Sequence, residues 1–174
     1  MLLQGDLLQG CPILQPSVEI LEASVEMLGG DEGRGEQSDI PLETYDVVVM
    51  SQSCDIIAEK IRLVLLCPYF PLEKMTEGNP DLRDPELREK IRRGEVFGYH
   101  MLNKCDDAAF HDDHLVVDFR SVFSLPLEFL RNFVLLSSKR LRLLPPYREH
   151  LSQAFARFFM RVGLPTEIPR FVHG

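Results

Sequence analysis

Two apolar runs in the first half of the sequence constrain its fold more than any other feature. Tyr45 to Ser51 reads YDVVVMS, and residues 61–70 read IRLVLLCPYF. Short runs that are almost wholly apolar and rich in β-branched residues are typical of strands buried on both faces. The sequence therefore predicts two central strands, at 45–51 and 61–70.

Further strands are predicted on both sides of this pair. Gly5, Gly10 and Pro12 interrupt the opening segment, Met1 to Gln15, which favours a short strand with a bend. The other predicted strands lie at 17–28, 96–102 and 114–119. Residues 29–39, GGDEGRGEQSD, are predicted to form an acidic loop.

Helices are predicted at three places. In the insertion at 71–94, Asp84 is the expected N-cap, Pro85 opens a helix over 84–93, and Gly94 ends it. A short helical turn is predicted at 126–132. At 146–163, apolar residues at helical spacing predict an amphipathic helix; they are Leu151, Ala154, Phe155, Phe158, Phe159 and Val162.

Length and composition favour a single domain over residues 1–174, of mixed α+β class and mainly β. The chain is 45% hydrophobic, without a run of about 18 uncharged apolar residues and without a basic leader before Asp6. We therefore expect a cytoplasmic protein with no membrane partner. Four widely spaced cysteines, at 11, 54, 67 and 105, are expected to be reduced thiols.

Charge is distributed unevenly along a chain whose net charge is −8. Residues 1–46 hold ten acids and one base, whereas residues 119–174 hold three acids and nine bases. Nucleic-acid affinity depends on lysine and arginine at phosphates. The overall charge therefore disfavours nucleic acid as a partner, and only the last third could bind it.

The order of these elements resembles that of the MazF/PemK-like toxin family. Gly5-Asp6 is similar to the Gly-Asp that opens the first strand of that family, and Val47 to Met50 to its apolar second strand. Residues 116–130, VVDFRSVFSLPLEFL, are similar to a later strand region, and 142–144 with the terminal helix to its last elements. The resemblance implies a small SH3-like β-barrel, here with an inserted helix and a C-terminal helix, and barrels of this family often form homodimers.

Two departures from the family pattern bear on catalysis. Family ribonucleases carry an arginine just before the second strand and a threonine at the end of the next strand, where this chain has Tyr45-Asp46 and Cys67-Pro68. An aspartate there would repel a phosphate in the transition state. The resemblance thus implies a toxin-like protein without the usual catalytic residues, unless Arg62 or Arg120 replaces the missing arginine.

Cysteine and histidine residues suggest a second kind of site. Cys54 could act as a nucleophile with His100 as its base, although the neighbouring Asp55 would stabilise the thiol over the thiolate. Cys54, Cys67, His100 and Cys105 together could ligate zinc, although they lack the paired spacing of a zinc site. A structural role for Cys54 at a strand exit is the alternative, and we expect no cofactor.

Binding residues are predicted on two helices. Arg148, Arg157 and Arg161 could form a basic stripe that meets phosphates or an acidic protein surface. In the helix at 84–93, Leu87 and Ile91 could contact a partner protein, or the helix could be a solvated excursion.

The sequence predicts a non-catalytic module that binds another protein. The toxin-like resemblance implies a bacterial multi-protein system, in stress response or phage defence. A metal-independent endoribonuclease and a thiol- or zinc-dependent enzyme built on Cys54 and His100 are the alternatives.

Overall fold

A computed structural model describes residues 1–15, 18, 21–22, 41–104, 114–136 and 140–160. Its strands are β1 (Asp6–Leu14), β2 (Leu42–Val49), β3 (Leu63–Pro71), β4 (Tyr99–Leu102), β5 (Leu115–Asp118), β6 (Phe123–Pro126) and β7 (Leu141–Arg142). Its helices are α1 (Ser53–Ile57), α2 (Leu72–Gly78), α3 (Pro85–Arg92), α4 (Leu127–Leu136) and α5 (Tyr147–Phe159), with a 3₁₀ turn at Pro80–Arg83. The described residues thus form a mixed α+β structure.

Strand β3 holds the seven-stranded antiparallel sheet together. The strand order is β4-β5-β3-β2-β1-β7, and β6 also pairs with β3. The middle of β3 pairs with β2, with Val48 opposite Cys67. Its first half pairs with β6, and its last residues pair with β5. The two predicted central strands, β2 and β3, are therefore confirmed.

The sheet is open among the described strands. Strand β4 ends the order on one side and β7 ends it on the other, and no pairing joins them. The antiparallel sheet with helices agrees with the predicted α+β class, but the predicted closed barrel is not observed in this part of the chain.

Three apolar clusters fill the structure. The first packs α1 and α4 against one face of β1, β2 and β3, and the second packs α5 against Tyr69 and Phe119. The third lies under the inserted segment, where α2, the 3₁₀ turn and α3 cover β4 and β5.

Asp46 stabilises an irregularity in β1. The register between β1 and β2 shifts between Leu8 and Cys11, and Gly10 lies there with φ +61°. A β-bulge leaves a backbone group out of the ladder, and here the Gly10 N–H donates to Asp46 Oδ1 at 2.8 Å. Glycine suits the left-handed backbone at this position. Because its carboxylate accepts the hydrogen bond of the Gly10 N–H, Asp46 has a structural role.

Asp6 is a fully buried acid that joins the start of the chain to β7. Its carboxylate accepts hydrogen bonds from the Leu3 N–H and from two guanidinium nitrogens of Arg142, and Arg140 Nε lies 3.3 Å from Oδ2. Both arginines also donate to the Met1 carbonyl. A buried carboxylate requires such compensation by charge and hydrogen bonds.

The insertion is capped as the sequence predicts. The Asp84 side chain accepts from the Glu86 N–H at 3.0 Å. At the other end, Gly94 has φ +71° and its N–H donates to Ile91, while the Glu95 N–H donates to Lys90. These two bonds form a Schellman motif, so α3 ends where a left-handed residue is required.

Two predictions about helices need correction. Phe159 is 61% exposed, so the apolar stripe of α5 ends with Phe158, which packs against Phe119. The helix predicted at 126–132 runs on to Leu136 as α4. The short β6 and β7 and the five-residue α1 were not predicted, because each is too short to show a periodic pattern.

The segment at 17–28 lies mostly outside the described residues, as does the acidic loop at 29–39. Of the predicted strand, Val18, Leu21 and Glu22 are described; they are helical and exposed. The strand is wrong at these positions. Val18 and Leu21 are three residues apart, which is a helical spacing. The alternation of apolar and acidic residues in the same segment favoured a strand instead.

Replacing Asp6 with asparagine tests the buried ion pair. We expect Asp6→Asn to lower the free energy of unfolding by about 3 kcal/mol, because it leaves two arginines without their carboxylate. Urea unfolding at pH 7 measures the change. Asp55→Asn removes a carboxylate at the surface and should change stability by less than about 0.5 kcal/mol; equal effects would contradict the role of Asp6.

Candidate functional site: a cationic cleft

A cleft of about 190 Å³ lies between the end of α3, β4 and α5. Arginine, histidine and glutamine supply its polar lining, and none of the described residues that line it is acidic. The lining residues are Arg92, Arg93, Gly94, Val96, Phe97, Tyr99, His100, His150, Gln153, Ala154 and Arg157. This chain of negative net charge therefore has a cleft with basic walls.

One wall is a pair of arginines at the end of α3. Arg92 donates two hydrogen bonds of 2.6 Å to Glu89, and Arg93 Nε donates to the same carboxylate at 2.9 Å. Hydrogen bonds from Arg92 and then Arg93 hold the pKa of Glu89 well below its usual value, at about 2. These arginines therefore line the cleft with much of their positive charge already neutralised by Glu89.

The opposite wall is a face of α5. His150, Gln153 and Arg157 follow one another at helical spacing, so they lie on the same side of the helix. Arg157 is exposed, and its Nε donates to the Gln153 carbonyl at 3.4 Å. Among the described residues, Arg157 forms no ion pair with a carboxylate, so its charge is available to an incoming anion.

His100 lies between the two walls on β4. Its ring stacks on Phe119 with 6.2 Å between centroids. Burial, and then the charges of His150 and Arg157, lower the pKa of His100 to about 4. The imidazole is therefore neutral at pH 7, with one nitrogen free to donate and the other to accept.

Arg120 is committed to other contacts. Its guanidinium donates to both carboxylate oxygens of Asp118, at 2.9 and 2.7 Å, and its Cζ lies 4.4 Å from the centroid of the Tyr99 ring. A bidentate pair that also stacks on an aromatic ring is well fixed. Arg120 is outside the cleft lining and poorly placed to bind a phosphate.

Cys54 and His100 are not brought together. Cys54 lies in α1, where its thiol contacts Gln52 Oε1 at 3.5 Å and Asp55 Oδ1 at 3.7 Å. His100 lines the cleft, and Cys54 does not. Cys54 is thus in a short helix that follows the exit of β2, and the predicted pair has no geometric support.

The described members of the predicted zinc set do not converge either. Cys67 is buried in the core, where desolvation raises the pKa of its thiol to about 12, and a metal ligand requires the thiolate. Cys105 lies outside the described residues. Within the described ranges, no group of three or more histidine, cysteine or acidic residues could hold a metal ion.

The predicted binding residues have different locations. Arg157 lines the cleft, Arg148 instead pairs with Glu149 at 2.6 Å, and Arg161 lies outside the described residues. Ile91 is buried in the third apolar cluster, and Leu87 packs against it. Helix α3 is therefore docked on the body of the protein, and Ile91 belongs to the core rather than to a surface that a partner could reach.

The sequence did not indicate Arg92, Arg93, His150 and Gln153 as site residues. The signal on α5 was present, because positions 150, 153, 154 and 157 have helical spacing beside the apolar stripe. The meeting of α5 with the end of α3 depends on tertiary packing, which no local pattern indicates.

No protein-family model matches this sequence, and comparison with curated proteins finds no match. In the described part of the chain, no helix has the length and apolar character needed to cross a membrane.

The half-buried His100 predicts a specific pH dependence of stability. Its pKa is about 4 in the fold and 6.5 as the ordinary value, so its contribution is complete above pH 6.5 and is lost as the pH falls towards 4. Between pH 7 and pH 5, the wild-type protein should lose about 2 kcal/mol more unfolding free energy than His100→Gln.

Urea unfolding at the two pH values, in buffer free of polyanions, measures this difference. An NMR titration of the His100 ring measures its pKa directly. Equal losses for the wild type and the variant, together with a His100 pKa near 6.5, would contradict the burial of a neutral imidazole.

Proposed function

We propose that this protein is a non-catalytic binding module that holds an acidic group of a partner protein in the cationic cleft. The observation that carries the proposal is the exposed Arg157, which has no carboxylate partner among the described residues and shares the cleft with two histidines and Gln153. Clusters of arginine with further donors commonly recognise acidic motifs. A protein partner fits better than nucleic acid, because the chain as a whole would repel a polyanionic backbone.

The contacts of the other candidate residues support a binding role over catalysis. Arg120 is bound to Asp118, Cys54 has no histidine partner in the described structure, and Asp46 is bound at the β1 bulge. Arg120 and Asp46 are thus engaged in other contacts, and Cys54 lacks the histidine that the thiol-dependent alternative requires.

We also propose that the sheet is a divergent form of the SH3-like barrel of the MazF/PemK-like family. The supporting features are the Gly5-Asp6 start of β1 and a β3 shared between β2, β5 and β6. The expected setting, a bacterial stress or phage-defence system in the cytoplasm, comes from this resemblance.

Binding of an acidic peptide tests the proposed site. Hexaglutamate should bind at pH 7 and low salt, and Arg157→Gln should weaken it about fivefold or more, because the variant removes the available cation. Isothermal titration calorimetry measures the affinities, with hexaglutamine as the uncharged peptide.

Arg62→Gln is the matched control, since it removes the same charge at an exposed position outside the cleft lining. Its affinity should stay within about twofold of the wild type. Equal losses in the two variants would indicate general charge attraction and overturn the cleft as the site. A decauridylate that binds more tightly than the peptide would overturn the protein partner.

The endoribonuclease alternative has a separate test. Incubation of the protein with single-stranded RNA in the presence of a chelator should give no cleavage, because Arg120 is held by Asp118. Gel electrophoresis of the RNA measures the outcome. Cleavage that is lost in Arg120→Ala would show that the protein is an enzyme and that the module is wrong.

A further inference from the structure

Two histidines face the same small cleft, and this arrangement has a consequence for the anion that the cleft is proposed to hold. His100 lies on β4 between the walls, and His150 lies exposed on α5. Neither histidine forms an ion pair with an acidic side chain among the described residues. A carboxylate that enters the cleft would therefore bring a negative charge beside two histidines that have no such partner in the described structure.

The groups that face His100 come from three directions. Helix α5 contributes His150 and Arg157, and the end of α3 contributes Arg92 and Arg93 with their counterions Glu89 and Glu95. From the sheet, Phe119 covers the ring, and the Asp118–Arg120 pair lies beside Tyr99. Removal of the ring from water, followed by the charges of His150 and Arg157, lowers the pKa of His100 in the empty cleft.

An anion bound in the cleft would instead favour protonation of His100. An opposite charge within about 4–6 Å of an imidazole favours its protonated form, and the gain is larger where the ring is shielded from water. Protonation would also convert the accepting nitrogen of the ring into a second donor. The cleft can thus supply more positive charge when it is occupied than when it is empty.

We propose that the cleft is a proton-coupled anion site, in which His100 takes up a proton from solvent when an acidic group of the partner binds. The proposal rests on the proposed function. Proton uptake on binding requires that affinity rise as the pH falls. The module would therefore bind its partner more tightly under mildly acidic conditions.

Calorimetry with hexaglutamate measures the coupling. If the pKa of His100 returns to about 6.5 in the complex, affinity should rise about tenfold between pH 7.5 and pH 5.5. At pH 6, titrations in buffers of different ionisation enthalpy should show uptake of about 0.7 proton per peptide. NMR of the imidazole nitrogens should show that the His100 ring becomes protonated.

Two variants test whether His100 causes the pH dependence of the affinity. The affinity of His100→Gln should rise less than twofold between pH 7.5 and pH 5.5, whereas His114→Gln, which removes a histidine outside the cleft lining, should keep the wild-type gain. Binding that depends on Arg157 but shows no proton uptake would overturn the coupling and leave the proposed function standing. Protonation of His150 alone would overturn the role of His100, and no binding at all would overturn both proposals.

Discussion

The buried carboxylate of Asp6 is the interaction on which the rest of the fold depends. It lies at the first residue of β1, yet its partners come from the opening residues and from β7, more than 130 positions later. A buried charge is tolerated only where several donors surround it. This requirement fixes the path of residues 1–5, pairs β7 with the edge of β1 and positions the entry to α5. One side of the cleft is therefore set by a contact that is not part of the cleft.

The sequence predicted those elements whose secondary structure is determined by their own residues. Strands β2 and β3 are uninterrupted apolar runs, and α3 has an N-cap, a proline and a glycine at the positions that a helix requires. The sequence failed where tertiary contacts decide. Strand β7 is only two residues long, and it pairs with β1 because Arg142 binds Asp6. Ile91 looked available to a partner because its helix is mostly charged, and only the packing of the insertion on β4 and β5 buries it.

The candidate site illustrates the same limit in a different way. Arg157 was expected in a basic stripe on the last helix, and the position of His100 on a strand was also expected. Their convergence was not, because it requires α5 to pack across Phe119 and α3 to end beside β4. The cleft is thus made of an inserted segment and a late helix, neither of which forms it alone. An overall acidic chain can in this way concentrate positive charge at one place without a basic run in its sequence.

The central position of β3 has a consequence for folding during synthesis of the chain. The partners of β3 are β2, which precedes it in the sequence, and β5 and β6, which are complete only when residue 126 has been synthesised. Until then one side of a highly apolar strand is without its neighbours, and such edges are prone to pair with other chains. The insertion between β3 and β4 is synthesised before these later partners, but its apolar residues Leu72 and Leu82 pack with Tyr99 on β4 and Val116 on β5. The insertion therefore reaches its final packing, and forms its wall of the cleft, only after β5 has been made.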